Sequence, residues 1–217
     1  MFKLSFIKHD TSTFKLLCLG AHSDDIEIGC GGTILRLLKE YKNVDVCWVV
    51  FGTSGQRAAE ATESARLFLE NAKEANIIIK DFNDAFFPSS GKEIKRNFEE
   101  LKETFFPDLI FTHFRNDLHQ DHRLISDLTW NTFRDHLILE YEVIKYDGDL
   151  GRPNLFVPLD DKICRRKIKL IRNCFKTQGC KRWFTDDTFL SIMRIRGVEC
   201  NAAENYAEGF YCRKMVF

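Results

Sequence analysis

The chain has 217 residues, enough for one domain with a full hydrophobic core and no need of disulfide or metal staples. Its 32 Lys and Arg balance its 32 Asp and Glu, so no global field draws it to nucleic acid. A hydrophobic content of 44% with only 4 prolines excludes a largely disordered chain, and no run approaches the roughly 20 apolar residues of a membrane span.

The N-terminal MFKLSFIKHDTSTFKLLCLG is interrupted by Lys3, Lys8 and Lys15 and lacks a small-residue cleavage site, so a soluble, cytoplasmic protein is expected. Phe14–Gly20 reads as an apolar strand, and Gly31–Tyr41 has helical spacing. Val44–Phe51, rich in β-branched and aromatic residues, is a second strand. Arg57–Ala75 is a long run of helix formers, and Asn76–Ile79 a brief third strand. Ile94–Phe105 reads as a helix closed by Pro107, and Leu109–Thr112 as a fourth strand. His122–Phe133 is expected to be helical, Ile138–Tyr146 extended, and Lys162–Lys176 and Thr185–Ile195 helical again. The alternation implies a single α/β domain over residues 1–217, a Rossmann-like three-layer sandwich with a mostly parallel sheet. Wound in the Rossmann sense, its strand order 3-2-1-4 makes strands one and four neighbours, and the crevice at their carboxyl ends is where such folds bind ligands.

The two richest polar clusters follow those two strands. The first is Ala21-His22-Ser23-Asp24-Asp25-Ile26-Glu27; the second runs from His113 to His122 and contains Asp117, His119 and Asp121. Four of the six histidines are in these segments. Imidazole and carboxylate are ligands of both zinc and ferrous iron, and a catalytic zinc takes three protein ligands and leaves one position open. His22 and Asp25 could ligate one ion from a single loop, with a histidine of the second cluster completing the set. Metal lowers the pKa of bound water from about 16 to about 7. Asp24 could accept that water's proton, and a remaining histidine could face an oxyanion. An Asp-Asp pair after a strand is more often a turn and helix cap, but the second cluster at the adjacent strand end reverses that preference.

These residues resemble the signature of the PIG-L/LmbE-like deacetylase family, Ala-His-Pro-Asp-Asp-Glu followed by His-x-Asp-His. They stand here as Ala21-His22-Ser23-Asp24-Asp25-Ile26 and His119-Gln120-Asp121-His122. Serine replaces proline at Ser23, and Ile26 precedes Glu27. Further likenesses are Gly29–Thr33, Thr53–Gly55, Arg57-x-x-Glu60, Lys167–Gln178 and Tyr206–Phe210, covering roughly residues 14–212. The resemblance implies His22, Asp25 and His122 as metal ligands and Asp24 as general base. His119 would stabilise the oxyanion or protonate the leaving amine, and Asp121 would orient His119. It implies hydrolysis of the acetyl group from a GlcNAc-type substrate carried on a nucleotide, lipid or small acid, with Zn2+ or Fe2+ as cofactor.

Other signals are weaker. Arg57 and Trp183 are candidate substrate contacts, Trp183 by stacking on a sugar ring. The basic stretch Lys162–Arg182 reads foremost as a solvated helix face, with attraction of an anionic substrate as the sharper alternative. Gly29–Thr33 lacks the spacing of a phosphate loop and is better read as close packing of a helix on the sheet. His113 is an alternative ligand to His119 or His122, and His9 and His136 are read as structural. The 8 cysteines contain no Cys-x-x-Cys pair and are expected to be reduced. The 20 phenylalanines leave room for a homo-oligomeric interface. Two competing readings are a non-catalytic Rossmann-like module that binds metal or ligand, and a nucleotide-dependent methyltransferase. Phe51-Gly52-Thr53-Ser54 supplies no acid for a ribose, which counts against the latter.

Overall fold

A computed structural model describes residues 13–216; the lysine-interrupted N-terminal stretch up to residue 12, with His9, lies outside the described residues. The strands are β1 (Phe14–His22), β2 (Val44–Gly52), β3 (Glu74–Ile79), β4 (Leu109–His113), β5 (Leu137–Tyr141), β6 (Leu155–Pro158) and β7 (Ala207–Tyr211). The helices are α1 (Asp25–Glu40), α2 (Gln56–Phe68), α3 (Gly91–Thr104), α4 (Gln120–Thr132), α5 (Asp161–Cys174) and α6 (Asp186–Glu199). They build one seven-stranded sheet in the order β3-β2-β1-β4-β5-β7-β6. Strands β1 to β5 pair in parallel, and β7 runs antiparallel to both β5 and β6.

Side chains of β1 alternate between two cores, as the pleat requires. Leu16 and Cys18 face the side covered by α1, α2, α5 and α6, where Phe68, Ile171 and Phe189 pack. Leu17, Leu19 and Ala21 face α3 and α4, against Phe98, Ile94 and Ile125. Both faces are covered, so the central strands are continuous apolar runs. Five cysteines are buried, and all eight are free thiols. Among the described residues no helix is long and apolar enough to cross a membrane.

Three boundaries differ from expectation. Helix α1 begins at Asp25 and not at Gly31, so the glycines lie inside it. Their helix-weakening tendency is outweighed by packing: a Cβ on Gly29 would overlap the Tyr141 ring, and one on Gly31 would stand 2.7 Å from Phe68. Helix α2 stops at Phe68 because Glu74 and Ala75 pair with Asp45 and Val46 of β2, extending β3 backwards. The expected extended segment Ile138–Tyr146 ends as strand at Tyr141, and the antiparallel β6 and β7 close the far edge.

Candidate active site

The parallel order places the ends of β1 and β4 side by side, so their exit loops share one crevice. His22 is the last residue of β1, and Asp25 opens α1. Between them Asp24 has φ 87°, in the left-handed region, and its side chain makes no cap bond to the helix. Such a backbone costs about 1 kcal/mol or more for a non-glycine residue. The capping account of the Asp-Asp pair therefore fails for Asp24, whose carboxylate is left for another use.

Three donor atoms converge. His22 Nδ1 is 3.3 Å from His122 Nε2, and Asp25 Oδ2 is 3.5 Å from each of those nitrogens. Two ligands of a tetrahedral ion bonded at about 2.0–2.1 Å stand about 3.3–3.4 Å apart, so this triangle has the span of three ligands to one metal. The chemistry of the set, two imidazoles and a carboxylate, suits zinc and ferrous iron alike. All three residues are buried. Burial pushes the Asp25 carboxyl up, but the neighbouring His122 and His113 hold it well below the usual carboxylate range. The backbone N–H of His22 also donates to Asp25 Oδ2 at 2.6 Å.

Each histidine of the triangle is gripped on its far side by a carboxylate, the arrangement that fixes ring orientation and tautomer in metal sites. Asp117 Oδ2 is 2.9 Å from His122 Nδ1. Asp121 Oδ2 is 3.1 Å from His22 Nε2, and Asp84 Oδ1 is 3.0 Å from the same nitrogen. Burial lowers the affinity of His22 for a proton, yet its bonds to Asp121, Asp25 and Asp84 raise its pKa well above the ordinary value. Burial raises the Asp117 carboxyl, but its bond to His122 and the nearby His113 and Lys145 carry it well below the usual range.

This corrects the expected task of Asp121. Its carboxylate oxygens serve His22 and the backbone N–H groups of Ala85 and Phe87. The hydrogen bond that joins His119 to this residue is to its backbone, His119 Nδ1 accepting from the Asp121 N–H at 3.3 Å. That bond places the ring proton of neutral His119 on Nε2, a donor. The His119 ring centroid is 4.9 Å from that of His22 and 4.7 Å from that of His122. Burial, with His122 and His22 adding to it, lowers the His119 pKa.

His113 adjoins the triangle, and its ligand atom, with those of Asp25 and His122, forms another group close enough to share one ion. Its Nε2 accepts the Ala21 N–H at 2.8 Å and stands 3.3 Å from Asp25 Oδ2, while its ring stacks on His122 at 3.9 Å. Burial, reinforced by His122, lowers its pKa to about 4, so it stays neutral beside the triangle. Asp24 is raised to about 7, first by burial and then by Asp25, with Arg57 and Lys181 opposing. The Arg57 guanidinium is 3.9 Å from Asp24 and 3.5 Å from Asp84, and it donates to the Ser23 carbonyl. Trp183 sits in a ring cluster with Tyr146, Phe184 and Phe189, and Lys181 lies 5.7 Å above its ring. In the basic stretch, Arg165 and Arg166 pair with Asp161 and Glu70 on the surface, and Lys167 is buried against Glu208. Asp84 and Lys145 carried no sequence signal. Asp117 did, as an acid inside the second cluster.

A buried His-Asp-His triangle with a free carboxylate beside it, at the switch point of a parallel sheet, defines a Rossmann-like protein with a candidate metal centre. The profile of the family described as "PIG-L: GlcNAc-PI de-N-acetylase" matches residues 17–133, more than half of the chain, and the protein belongs to that family. The match contains both polar clusters. The fold is similar to that of N,N'-diacetylchitobiose deacetylase from Pyrococcus horikoshii, at 23% identity and a TM-score of 0.66, over 90% of this chain and 82% of that one. It is also similar to the conserved protein TT1542 from Thermus thermophilus, at 19% identity and 0.71, over 94% and 97%. GalB, the 4-carboxy-2-hydroxymuconate hydratase of Pseudomonas putida, shares the fold at 16% identity and 0.74, over 94% and 98%. One architecture thus houses deacetylases and a hydratase, so function here has to be argued from the site.

Proposed function

We propose that this chain is a metal-dependent hydrolase that removes the acetyl group from an N-acetylated sugar of the GlcNAc type. The observation that carries the reading is the donor triangle of His22, Asp25 and His122, with the uncapped Asp24 beside it. These three residues would hold Zn2+, or Fe2+ in its place. When bound, such an ion polarises the acetamide carbonyl and brings the pKa of water to about 7.

The remaining steps belong to the protein's own groups. Asp24 takes a proton from the attacking water and holds it for the departing amine. Its carboxylate makes no cap bond to α1 and stands beside the triangle, which leaves it available to accept that proton. His119 donates from Nε2 to the carbonyl oxygen as negative charge builds on it. Arg57 steers Asp24 and meets the substrate, and Trp183 offers an aromatic face to the sugar. Asp117, Asp121 and Asp84 keep the two histidines in register. The products are acetate and a free amino sugar, which balances one amide and one water.

The test is elemental analysis of the purified protein beside His122→Ala, after removal of loose ions. About one zinc or iron per chain, lost in the variant, is the expected result, followed by amine release from acetamido sugars. Metal without amine release would favour the binding module, or water addition to a double bond as in the hydratase of the same fold. No metal in either protein after reconstitution would end the hydrolytic reading.

A further inference from the structure

Behind the site, on the other side of the first turns of α1, lies a buried ion pair that none of the proposed steps uses. Lys167 and Glu208 are 1% and 3% exposed and stand 2.6 Å apart. Both reach into the backbone of α1. Lys167 Nζ donates to the Ile28 carbonyl at 2.6 Å. Glu208 accepts from the Gly32 N–H at 2.8 Å and the Thr33 N–H at 2.6 Å. In an α-helix the carbonyl of residue 28 and the N–H of residue 32 are partners, so the pair engages both groups of one rung of the ladder. Gly32 makes room for this approach, since a Cβ there would stand 2.8 Å from Glu208 Oε1 and 2.6 Å from Leu159.

Stability alone is a poor reason to keep such a pair. Desolvating an ammonium and a carboxylate costs several kcal/mol, and apolar replacements of similar volume are often neutral or better. What apolar packing lacks is direction. Three charge-assisted contacts from the pair to fixed backbone atoms set the rotation and height of the helix, which a greasy face does not. The need is specific here: Asp24 enters α1 in a strained conformation without capping it, and the local tie of the first turn, Asp25 Oδ2 accepting the His22 N–H, uses the same oxygen that faces the two histidines. Ile28 is only three residues, about 4.5 Å of rise, beyond Asp25.

We infer that Lys167 and Glu208 are positioning residues, which lock the first turns of α1 so that Asp25 meets the two histidines and Asp24 stands beside them. The inference rests on the metal reading of the triangle. It is tested with Lys167→Met/Glu208→Leu, which removes both charges together, and with Glu208→Gln alone. Affinity is read by chelator competition with zinc, and geometry by the ligand-field spectrum of the cobalt-substituted protein. The double variant is expected to unfold within a few degrees of the parent, yet to bind zinc at least tenfold more weakly and to show an altered cobalt spectrum. A purely structural role moves the melting temperature and leaves both of those readouts unchanged; that result overturns the inference. If the double variant does not fold, the same readouts on Glu208→Gln decide. If the parent takes up no metal, the proposed function fails separately, and amide exchange decides on positioning. Glu208→Gln should then speed exchange at Gly32 and Thr33 at least tenfold while Leu37 and Leu38 stay unchanged, and equal exchange at the first two overturns it.

Discussion

Replacing Asp117 with asparagine isolates what the far side of a histidine contributes to the proposed metal centre. Asp117 Oδ2 faces His122 Nδ1 at 2.9 Å and Lys145 Nζ at 3.0 Å, while Oδ1 accepts the His119 N–H at 2.7 Å. Asparagine keeps the shape and can still accept from His119. Its amide NH2, however, would turn a donor towards two donors, a ring N–H and an ammonium. Lys145 is not orphaned, because Asp149 remains 2.5 Å away. The loss therefore falls on His122, through a less basic ring and a less firmly held tautomer. Changes of this kind typically cost 10–100-fold in metal affinity, about 1.4–2.7 kcal/mol. Zinc dissociation constants from chelator competition, with melting temperature as the fold control, measure it directly. A folded variant whose constant lies within a factor of about two of the parent's would refute the reasoning, since tenfold is its lower bound.

Asp24→Asn should keep the metal, because Asp24 is outside the triangle, and lose about 10²- to 10⁴-fold in kcat for amine release; retained activity would remove Asp24 as the base. Gly29→Ala forces a methyl group into the Tyr141 ring and should destabilise by about 1–3 kcal/mol in chemical denaturation. Unchanged stability would mean that the helix can shift away. Glu27 is fully buried, neither carboxylate oxygen has a hydrogen-bond partner among the described residues, and burial raises its pKa to about 8. Its folded pKa lies above the unfolded one, so its contribution to stability is present below about pH 4.5 and is lost as pH rises through 8. In the metal-free protein, Glu27→Gln should therefore gain on the parent by a few kcal/mol between those limits. A pH-independent difference between the two would contradict the assignment. Of the cysteines, Cys180 is exposed while burial raises the Cys18 and Cys30 thiols well above their usual value and Cys47 to about 12. A thiol reagent at pH 8 should label Cys180 rapidly and these three only on unfolding.

Much of this was legible in the residues themselves. The parallel strands announced themselves as apolar runs because both faces of the sheet are covered, and the order 3-2-1-4 is the one that Rossmann-type winding of such an alternation produces. The two polar clusters could then be placed at one crevice without coordinates, with His22 and Asp25 as candidate ligands, while the choice of His122 among the histidines of the second cluster came from the family resemblance. What sequence could not supply was anything decided by a neighbour distant along the chain. The glycines of α1 read as close packing of a helix, but what they pack against, Tyr141, Phe68 and Glu208, is visible only in the fold. The short strands β6 and β7 exist because each pairs with a partner, and four or five residues carry too little periodicity to declare it.

The roles around the proposed metal site divide in the same way. Residue chemistry determined which side chains can ligate, because few types offer a lone pair to zinc or iron. Tertiary structure alone decided which nitrogen of each histidine faces which carboxylate. It turned Asp121 towards His22, brought Asp84 and Asp117 to the rings, and spent the His113 lone pair on the Ala21 N–H. Such assignments depend on ångström-scale distances between segments a hundred residues apart, and these are fixed only when the two cores pack.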